Sequence, residues 1–261
     1  MRQSSQELPS SSPSWLPAPD HLTLGATDVH VWRASLEQAP AVVASLRRLL
    51  SPDEQARADR FHFEKDRRHF IVARGYLRKI LARYMGIAPA GIQFSYADHG
   101  KPRVASRIAQ AQQLNFNLAH SGGLALYGFT RIGEIGIDLE HIRPDFAGDD
   151  TARRFFSTTE VACLSKLPVR ARHEAFFNCW TRKEAFIKAI GIGLSLSLDQ
   201  FDVALAPAEP AALLRTRWDE AEAARWSLKA IDVGPGYVAA VAVGGHNWQL
   251  TCWEFDKERL L

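Results

Sequence analysis

Alternating hydrophobic and polar positions predict β-strands along much of the chain. The clearest alternation lies at residues 135–140, where isoleucine or leucine alternates with Gly136, Asp138 and Glu140. Because successive strand side chains point to opposite faces, Asp138 and Glu140 project together while the branched apolar residues face a core. Further strands are predicted at residues 28–34, 92–96, 114–118, 124–129, 194–205, 226–232, 237–243 and 248–255.

Apolar residues at helical spacing predict helices between these strands. Two long helices are expected over residues 65–85 and 172–189, and Gly86 and Gly191 are expected to end them. A shorter helix is predicted over residues 41–50. Strands interspersed with helices in this way indicate an α+β fold.

Two capping boxes mark further helix starts. Ser51 is followed three residues later by Glu54, and Ser157 is followed by Glu160 at the same spacing. In such a box the serine side chain and the glutamate side chain each satisfy a backbone N–H of the first turn. The capping role alone is enough to explain a glutamate at position 160.

Three arginines lie along one border of the apolar stripe of the predicted 65–85 helix. They are Arg67, Arg74 and Arg78. Arginines in this position can lay their stems on apolar surface and hold their guanidinium groups toward a groove. The alternative is a solvated helix flank, and the sequence leaves both interpretations open.

The composition is that of an ordinary globular protein. The 261 residues are 46% hydrophobic, which is enough for one large core or two small ones. With 32 basic and 29 acidic residues, the net charge of +3 gives no indication of nucleic-acid binding. No apolar run is long enough to predict a membrane span. The Ser- and Pro-rich residues 1–20 lack the apolar core of a signal peptide and predict a mobile tail.

The three cysteines indicate a reducing environment. Cys163, Cys179 and Cys252 are odd in number and widely spaced, with neither a disulfide framework nor a zinc-ligand pattern. We interpret them as reduced core thiols of a cytoplasmic protein.

Asp138 and Glu140 are the first candidates for chemistry. Carboxylates held side by side repel, and an oxygen-liganded cation such as Mg2+ relieves that repulsion, although a solvated edge strand is the competing interpretation. Residues 180–188 help to decide between a metal site and a solvated strand. Glu184 falls within an apolar helical stripe there, four residues before Lys188. Glu184 therefore either pairs with Lys188 or completes a metal site with the two strand carboxylates.

Two motifs carry a family resemblance. Residues 136–140, Gly-Ile-Asp-Leu-Glu, and residues 180–188, Trp-Thr-Arg-Lys-Glu-Ala-Phe-Ile-Lys, resemble the signature pair of the 4′-phosphopantetheinyl transferases, specifically the large surfactin-synthetase-activating type. The resemblance covers about residues 51–205. It implies two pseudo-symmetric α/β subdomains, residues 21–134 and 135–261, with coenzyme A in the cleft between them.

The resemblance also implies roles for the signature residues. Asp138, Glu140 and Glu184 would hold Mg2+, which bridges the pyrophosphate oxygens of coenzyme A. Lys188 would neutralise the same pyrophosphate. The base that accepts the serine proton would be Glu184, Glu160 or a metal-bound water, and the sequence does not choose among them.

Three further residues are implied as coenzyme A contacts. Arg57 follows the first capping box, at the place of a basic residue that contacts the 3′-phosphate. Lys101 lies in a Gly-Lys-Pro turn, where a plain surface turn is the alternative interpretation. His120 is predicted in a loop after the strand at residues 114–118, within a Phe-Asn-x-Ser-His-Ser-like motif. Ala119 replaces the usual serine of that motif, so a hydroxyl contact from this position is absent.

The implied reaction moves 4′-phosphopantetheine from coenzyme A to a serine of an acyl or peptidyl carrier protein and releases adenosine 3′,5′-bisphosphate. Two fused halves favour a monomer. The alternatives are a carrier-protein-binding module without catalysis and a Mg-dependent phosphohydrolase that uses the same carboxylates. The filled acidic and basic signature positions argue against the first, and a test for hydrolysed coenzyme A would detect the second.

Overall fold

The computed structural model describes residues 14–97, 99–105, 113–143, 148–207 and 209–255. Residues 1–13 of the predicted tail, Asp98 of the predicted Gly-Lys-Pro turn and residues 144–147 of a predicted loop lie outside the described residues. The α+β class is confirmed, because helices and antiparallel strand pairs occur in both halves of the chain.

Among its described residues, the first half contains most of one sheet and three α-helices. Its elements are β1 (Leu16–Pro17), β2 (Asp28–Ser35), α1 (Pro40–Arg47), α2 (Pro52–Asp59), α3 (Glu64–Met85), β3 (Phe94–Tyr96), β4 (Pro102–Val104), β5 (Asn115–Ser121) and β6 (Leu124–Thr130).

The second half repeats the alternation of strand and long helix. Its elements are β7 (Ile135–His141), α4 (Gly148–Phe155), α5 (Thr158–Lys166), α6 (Val169–Ile190), β8 (Phe201–Val203), β9 (Leu213–Thr216), β10 (Trp226–Ile231), β11 (Tyr237–Gly244) and β12 (Gln249–Glu254).

The sheets follow the two halves with one exchange. A five-stranded sheet has the order β1-β12-β2-β6-β5, and a three-stranded sheet has the order β10-β11-β7. Strand β12 comes from the end of the chain, yet it lies parallel to β2 in the first sheet, with Cys252 opposite Val31. The predicted boundary after residue 134 therefore separates the two sheets except at this strand.

Part of the predicted tail belongs to the same sheet. Strand β1 pairs in parallel with β12, and Leu16 lies opposite Trp253. The indole Nε1 of Trp15 donates a hydrogen bond to the carbonyl oxygen of Asp232 at 2.7 Å. Residues 14–17 are thus held by the second half of the chain.

Each long helix packs on its own sheet, and a third apolar cluster joins the two sheets. Helix α3 packs with aromatic residues of the first sheet, such as Trp32 and Phe129. Helix α6 packs against the second sheet with Phe186 among its buried residues. The joining cluster includes Leu126 of β6 and Ile137 of β7.

Several local predictions are confirmed. Gly86 and Gly191 both adopt the left-handed conformation at the ends of the long helices, with φ of 67° and 74°. Both capping boxes form, because the N3 glutamate and the N-cap serine satisfy each other's backbone N–H groups.

Other predictions are wrong. The segment 143–150 is loop-like in sequence, but its residues 148–150 belong to helix α4, and only residues 201–203 of the predicted 194–205 strand are strand. His120 lies inside β5 rather than in a loop. Cys179 and Cys252 are buried free thiols, as expected, but Cys163 is exposed. These differences arise from tertiary packing that no local pattern encodes.

Two of the three arginines along the apolar stripe of α3 differ from both interpretations of the sequence. Arg74 and Arg78 are buried, and both donate from Nε to the carboxylate of Glu54. Only Arg67 lies at the surface, where it pairs with Glu64. Within the described part of the chain, no helix is long and apolar enough to cross a membrane.

Candidate functional site

Gly136 determines how closely helix α6 approaches strand β7. A Cβ atom built at Gly136 would lie 2.0 Å from the carbonyl oxygen of Ala185 and 2.3 Å from the backbone nitrogen of Ala189. Any side chain here would therefore push the helix away from the strand. The close approach allows Lys188 of the helix to reach Asp138 of the strand.

A cavity of about 600 Å3 lies where the two halves meet. Strand β5 lines it from the first half, and β7 and α6 line it from the second. Five of the eight predicted site residues line this cavity together: His120, Asp138, Glu140, Glu184 and Lys188. Its apolar walls include Phe155, Trp180 and Leu198.

Asp138 is buried, and only one of its two carboxylate oxygens has a hydrogen-bond partner. Its Oδ1 accepts a hydrogen bond from Lys188 Nζ at 2.5 Å, whereas its Oδ2 is buried and has no hydrogen-bond partner. Burial raises the pKa of Asp138 to about 7; the Lys188 ammonium opposes this shift, and Glu184 and Glu140 add to it. A buried carboxylate oxygen without a partner favours the binding of a further cation or proton.

Glu184 is half-buried in the same cavity. Burial raises its pKa, the Lys188 ammonium lowers it, and the Glu140 carboxylate raises it again. The Lys188 ammonium bonds directly to Asp138, and its charge acts on Glu184 in the same cavity. Asp138 and Glu140 both line this cavity, as the alternation of the strand predicted.

Glu140 is positioned by a residue of β5 that sequence analysis did not single out. Ser121 Oγ donates a hydrogen bond to Glu140 Oε2 at 2.9 Å and accepts one from the backbone N–H of His141 at 3.1 Å. A second side chain, Asn117, joins the same strands, since its Oδ1 accepts from the Ile137 N–H at 3.0 Å. Both residues lie in the quoted Phe-Asn-x-Ser-His-Ser-like motif, which was the available signal.

His120 stands at the end of β5 beside these acids. The surrounding protein desolvates its ring and lowers its pKa, and the positive charge of Lys188 lowers it further. The imidazole is consequently neutral at pH 7 and able to donate one hydrogen bond.

Lys101 is not part of the cavity lining. Its ammonium donates to Glu134 Oε2 at 2.8 Å and to the carbonyl oxygen of Ala189 at 2.9 Å. The side chain is buried, and desolvation lowers its pKa while the Glu134 carboxylate raises it. Lys101 therefore ties the β3–β4 hairpin to the last turn of α6.

Arg57 lines a separate cavity of about 630 Å3 in the first half. It is exposed on α2, with its guanidinium carbon 5.3 Å from the ring centre of Phe70. Arg60, Phe61 and Tyr96 share this cavity. A guanidinium pair beside aromatic rings suits a phosphorylated aromatic ligand.

Glu160 is not brought to either cavity. It is buried at the start of α5, where it receives hydrogen bonds from the Ser157 N–H at 2.9 Å and the Val203 N–H at 2.8 Å. Lys183 Nζ lies 2.8 Å from its Oε2. Of the two roles weighed for Glu160, its contacts match the capping role.

The donor chemistry fits a magnesium ion, although the side chains do not form a preset metal site. Among the described residues, no group of three or more His, Cys, Asp or Glu side chains is arranged to hold a metal ion. Three carboxylates nonetheless line one cavity, and Asp138 Oδ2 has no partner. Mg2+ in proteins usually takes one or two carboxylates and leaves its other positions to water and substrate phosphates.

Comparisons with known proteins agree with this geometry. Residues 134–242 match the 4′-phosphopantetheinyl transferase superfamily, and residues 31–128 match the family described as 4′-phosphopantetheinyl transferase, N-terminal. The 4′-phosphopantetheinyl transferase HetI of Nostoc sp. is 42% identical over 242 residues, covering 93% of this chain and 98% of that protein.

Two further similarities cover less of the chain. The 4′-phosphopantetheinyl transferase Sfp of Bacillus subtilis is 33% identical over 156 residues, covering 60% of this chain and 66% of that protein. The solved holo-[acyl-carrier-protein] synthase of Thermotoga maritima is 19% identical with a TM-score of 0.36, over 44% of this chain and 64% of that chain.

Both signature motifs thus fall within one cavity, and the family matches extend over both halves of the chain. The relative from Nostoc is similar over almost its entire length. The chain belongs to the 4′-phosphopantetheinyl transferase superfamily and is an enzyme of its large, surfactin-synthetase-activating type.

Proposed function

We propose that this enzyme transfers the 4′-phosphopantetheine arm of coenzyme A to a serine hydroxyl of an apo acyl or peptidyl carrier protein, with Mg2+, and releases adenosine 3′,5′-bisphosphate. The observation that carries the proposal is the convergence of Asp138, Glu140, Glu184 and Lys188 on one cavity between the halves. The free thiols and the family resemblance support a cytoplasmic location.

In the proposed step the serine oxygen attacks the β-phosphorus of coenzyme A. A P–O bond to serine forms, the bond from that phosphorus to the bridging oxygen breaks, and adenosine 3′,5′-bisphosphate leaves. The serine proton passes to Glu184, because this carboxylate lines the cavity and its raised pKa makes it a stronger base than a solvated glutamate. Glu160 is the less favoured candidate for this role, because its oxygens accept from the Ser157 and Val203 N–H groups.

Cations and hydrogen-bond donors would stabilise the negative charge that develops on the pyrophosphate. Lys188 holds an ammonium beside Asp138, and neutral His120 offers one N–H from the opposite wall. Mg2+ held by Asp138, Glu140 and Glu184 would supply further charge neutralisation for the phosphate oxygens.

The remaining phosphate contacts lie outside the cavity. Arg57 is available for the 3′-phosphate, since its guanidinium is exposed in the neighbouring cavity. Lys101 would have to exchange Glu134 for a phosphate, which makes its anchoring role conditional on coenzyme A binding. Until then it holds the end of α6.

The carrier protein is proposed to dock beside α5 and α6. Lys166, Val169 and Arg170 are exposed there, Val169 by 78%, and together they form an apolar and basic surface. Arg172 is not available to a partner in the same way, because it donates to the carbonyl oxygens of Leu167 and Ser165. The acidic helix of a carrier protein complements such a surface.

The first experiment measures the mass of a purified apo carrier protein after incubation with this enzyme, coenzyme A and Mg2+. We expect a gain of one phosphopantetheine that is lost on chelation and in Glu184→Gln. Glu174→Gln is the matched control, because Glu174 is an exposed glutamate of the same helix. It should retain the gain.

Two results would contradict the proposal. No mass gain with several carrier types, while coenzyme A still binds, would indicate a module without catalysis. Hydrolysed coenzyme A in the absence of a carrier serine would indicate a phosphohydrolase.

The docking surface is tested separately by charge reversal. Arg170→Glu should raise the KM for the carrier protein and leave the KM for coenzyme A unchanged. Arg215→Glu, on an exposed position of β9, serves as the control. Equal carrier KM values for both variants would remove the docking surface from the proposal.

A further inference from the structure

Both carboxylate oxygens of Glu160 are bonded to protein groups. The residue is 2% exposed. Its Oε2 accepts from the Ser157 N–H and lies 2.8 Å from Lys183 Nζ, while its Oε1 accepts from the Val203 N–H. These contacts take three of the about four lone-pair sites of the carboxylate, and burial separates the group from a substrate.

The Lys183 ammonium uses all three of its hydrogen-bond donors within the protein. Its side chain is completely buried. Its ammonium donates to the carbonyl oxygens of Leu198 at 2.7 Å and Phe201 at 2.5 Å, in addition to the contact with Glu160. Three donors thus meet three acceptors, as a buried ammonium requires.

Glu160 and Lys183 do not line the cavity, but they are linked to residues that do. Lys183 immediately precedes Glu184 on α6, and neighbouring helix residues point about 100° apart. Fixing Lys183 toward the interior therefore fixes the direction of Glu184. Leu198, whose carbonyl oxygen Lys183 holds, lines the cavity with its side chain.

The first half contains the same arrangement without the cavity. Glu54 is the N3 glutamate of its capping box and pairs with buried Arg78 at 2.7 Å. Arg78 and Lys183 both lie eight residues before the left-handed glycine that ends their helix. Neither Glu54 nor Arg78 lines the cavity that holds the signature acids. A buried pair between an N3 glutamate and a cation of the long helix can therefore position that helix without taking part in catalysis.

We propose that Glu160 and Lys183 form a positioning pair that sets the rotation of α6, so that Glu184 and Lys188 face the cavity. Neither residue of the pair touches the reacting atoms. The inference rests on the proposed transfer reaction, because its consequence is measured as the rate of that reaction.

The test compares Lys183→Met with the double variant Glu160→Gln/Lys183→Met. The assays are run well below the thermal midpoint of each variant, so that the measured kcat is that of folded enzyme. In the single variant the unpaired Glu160 charge should disturb the helix and lower kcat about 10- to 100-fold, with the KM for coenzyme A unchanged.

The double variant should recover most of kcat. Glutamine at N3 maintains the capping box, and methionine replaces the apolar stem of lysine without leaving an unpaired charge. Arg78→Met in the first half is the matched control. It should lower thermal stability and leave kcat of the folded enzyme unchanged.

Two outcomes would overturn the inference. A folded Lys183→Met enzyme with wild-type kcat would show that the pair positions nothing. A folded double variant whose residual kcat stays as low as that of Lys183→Met would overturn it as well, and loss of the acidic limb from the pH–rate profile of that residual activity would identify Glu160 as the base. Absence of transfer by the wild-type enzyme would instead overturn the proposed function.

Discussion

The two long helices, α3 and α6, have the same local design and different uses. Each has 22 residues, ends at a left-handed glycine and follows a capping-box helix whose N3 glutamate pairs with one of its buried cations. Three residues before the glycine, α3 carries Arg83 and α6 carries Lys188. Arg83 donates to the carbonyl oxygen of Pro19, whereas Lys188 donates to Asp138.

The facing strands make the difference. Opposite α3, Tyr127 of β6 donates its hydroxyl to the carbonyl oxygen of Ala73 and closes an aromatic core. Opposite α6, β7 presents Asp138 and Glu140. The helix scaffold therefore does not create the chemistry by itself. Acids on the neighbouring strand, brought close by Gly136, turn one of two similar helix–sheet layers into a site.

The largest effect is expected from Glu54→Gln, which breaks the buried ion network of the first half. Arg74 and Arg78 would then remain buried without an anion, at a cost of about 3–5 kcal/mol in unfolding free energy. Urea denaturation measures this. Glu64→Gln removes only the surface partner of Arg67 and should cost less than about 1 kcal/mol. Similar losses in both variants would contradict the comparison.

Lys188→Met tests the second half. Loss of the ammonium beside the signature acids should lower kcat/KM for carrier modification about 10³-fold, or about 4 kcal/mol. The control is Arg83→Met, which removes the corresponding cation of α3 and should leave kcat/KM nearly unchanged. If both variants lost activity equally, the positions would not differ in use.

Gly136→Ala tests the close approach of α6 to β7. The added methyl group would meet the backbone of α6, so we expect a loss of about 3 kcal/mol in unfolding free energy together with reduced activity. Gly91→Ala is the control, because a Cβ atom at Gly91 has no neighbour within 4 Å. A wild-type denaturation curve for Gly136→Ala would show that the contact is not required.

The smallest effect concerns pH and the first half alone. Burial lowers the pKa of His30 to about 4, with Asp28 opposing the shift. Since the folded state binds its proton less readily than the unfolded state, the contribution of His30 is complete above about pH 6.5. It falls as the pH drops toward 4, by about 3 kcal/mol at most.

Denaturation at several pH values compares the wild type with His30→Gln. The variant should lose less stability than the wild type between pH 6.5 and 4. Parallel stability curves would contradict the assignment to His30, because carboxylates that titrate in this range are common to both proteins.

Local chemistry determined much of this protein from its sequence. Strand alternation placed Asp138 and Glu140 on one face, capping boxes marked the starts of α2 and α5, and two glycines ended the long helices. The family resemblance of the two signature motifs and of the motif around His120 also implied five residues that share a cavity. These features depend on neighbours within a few residues, so a linear pattern records them.

Tertiary structure alone decided the rest. The exchange of β12 into the first sheet, the burial of Arg74 and the saturation of Glu160 by Lys183 all depend on partners 20 or more residues away. A charged residue bordering an apolar stripe has the same sequence pattern whether it reaches solvent, a ligand or a buried counter-ion. Only the packed neighbours set its desolvation and its partner, and these determine its role.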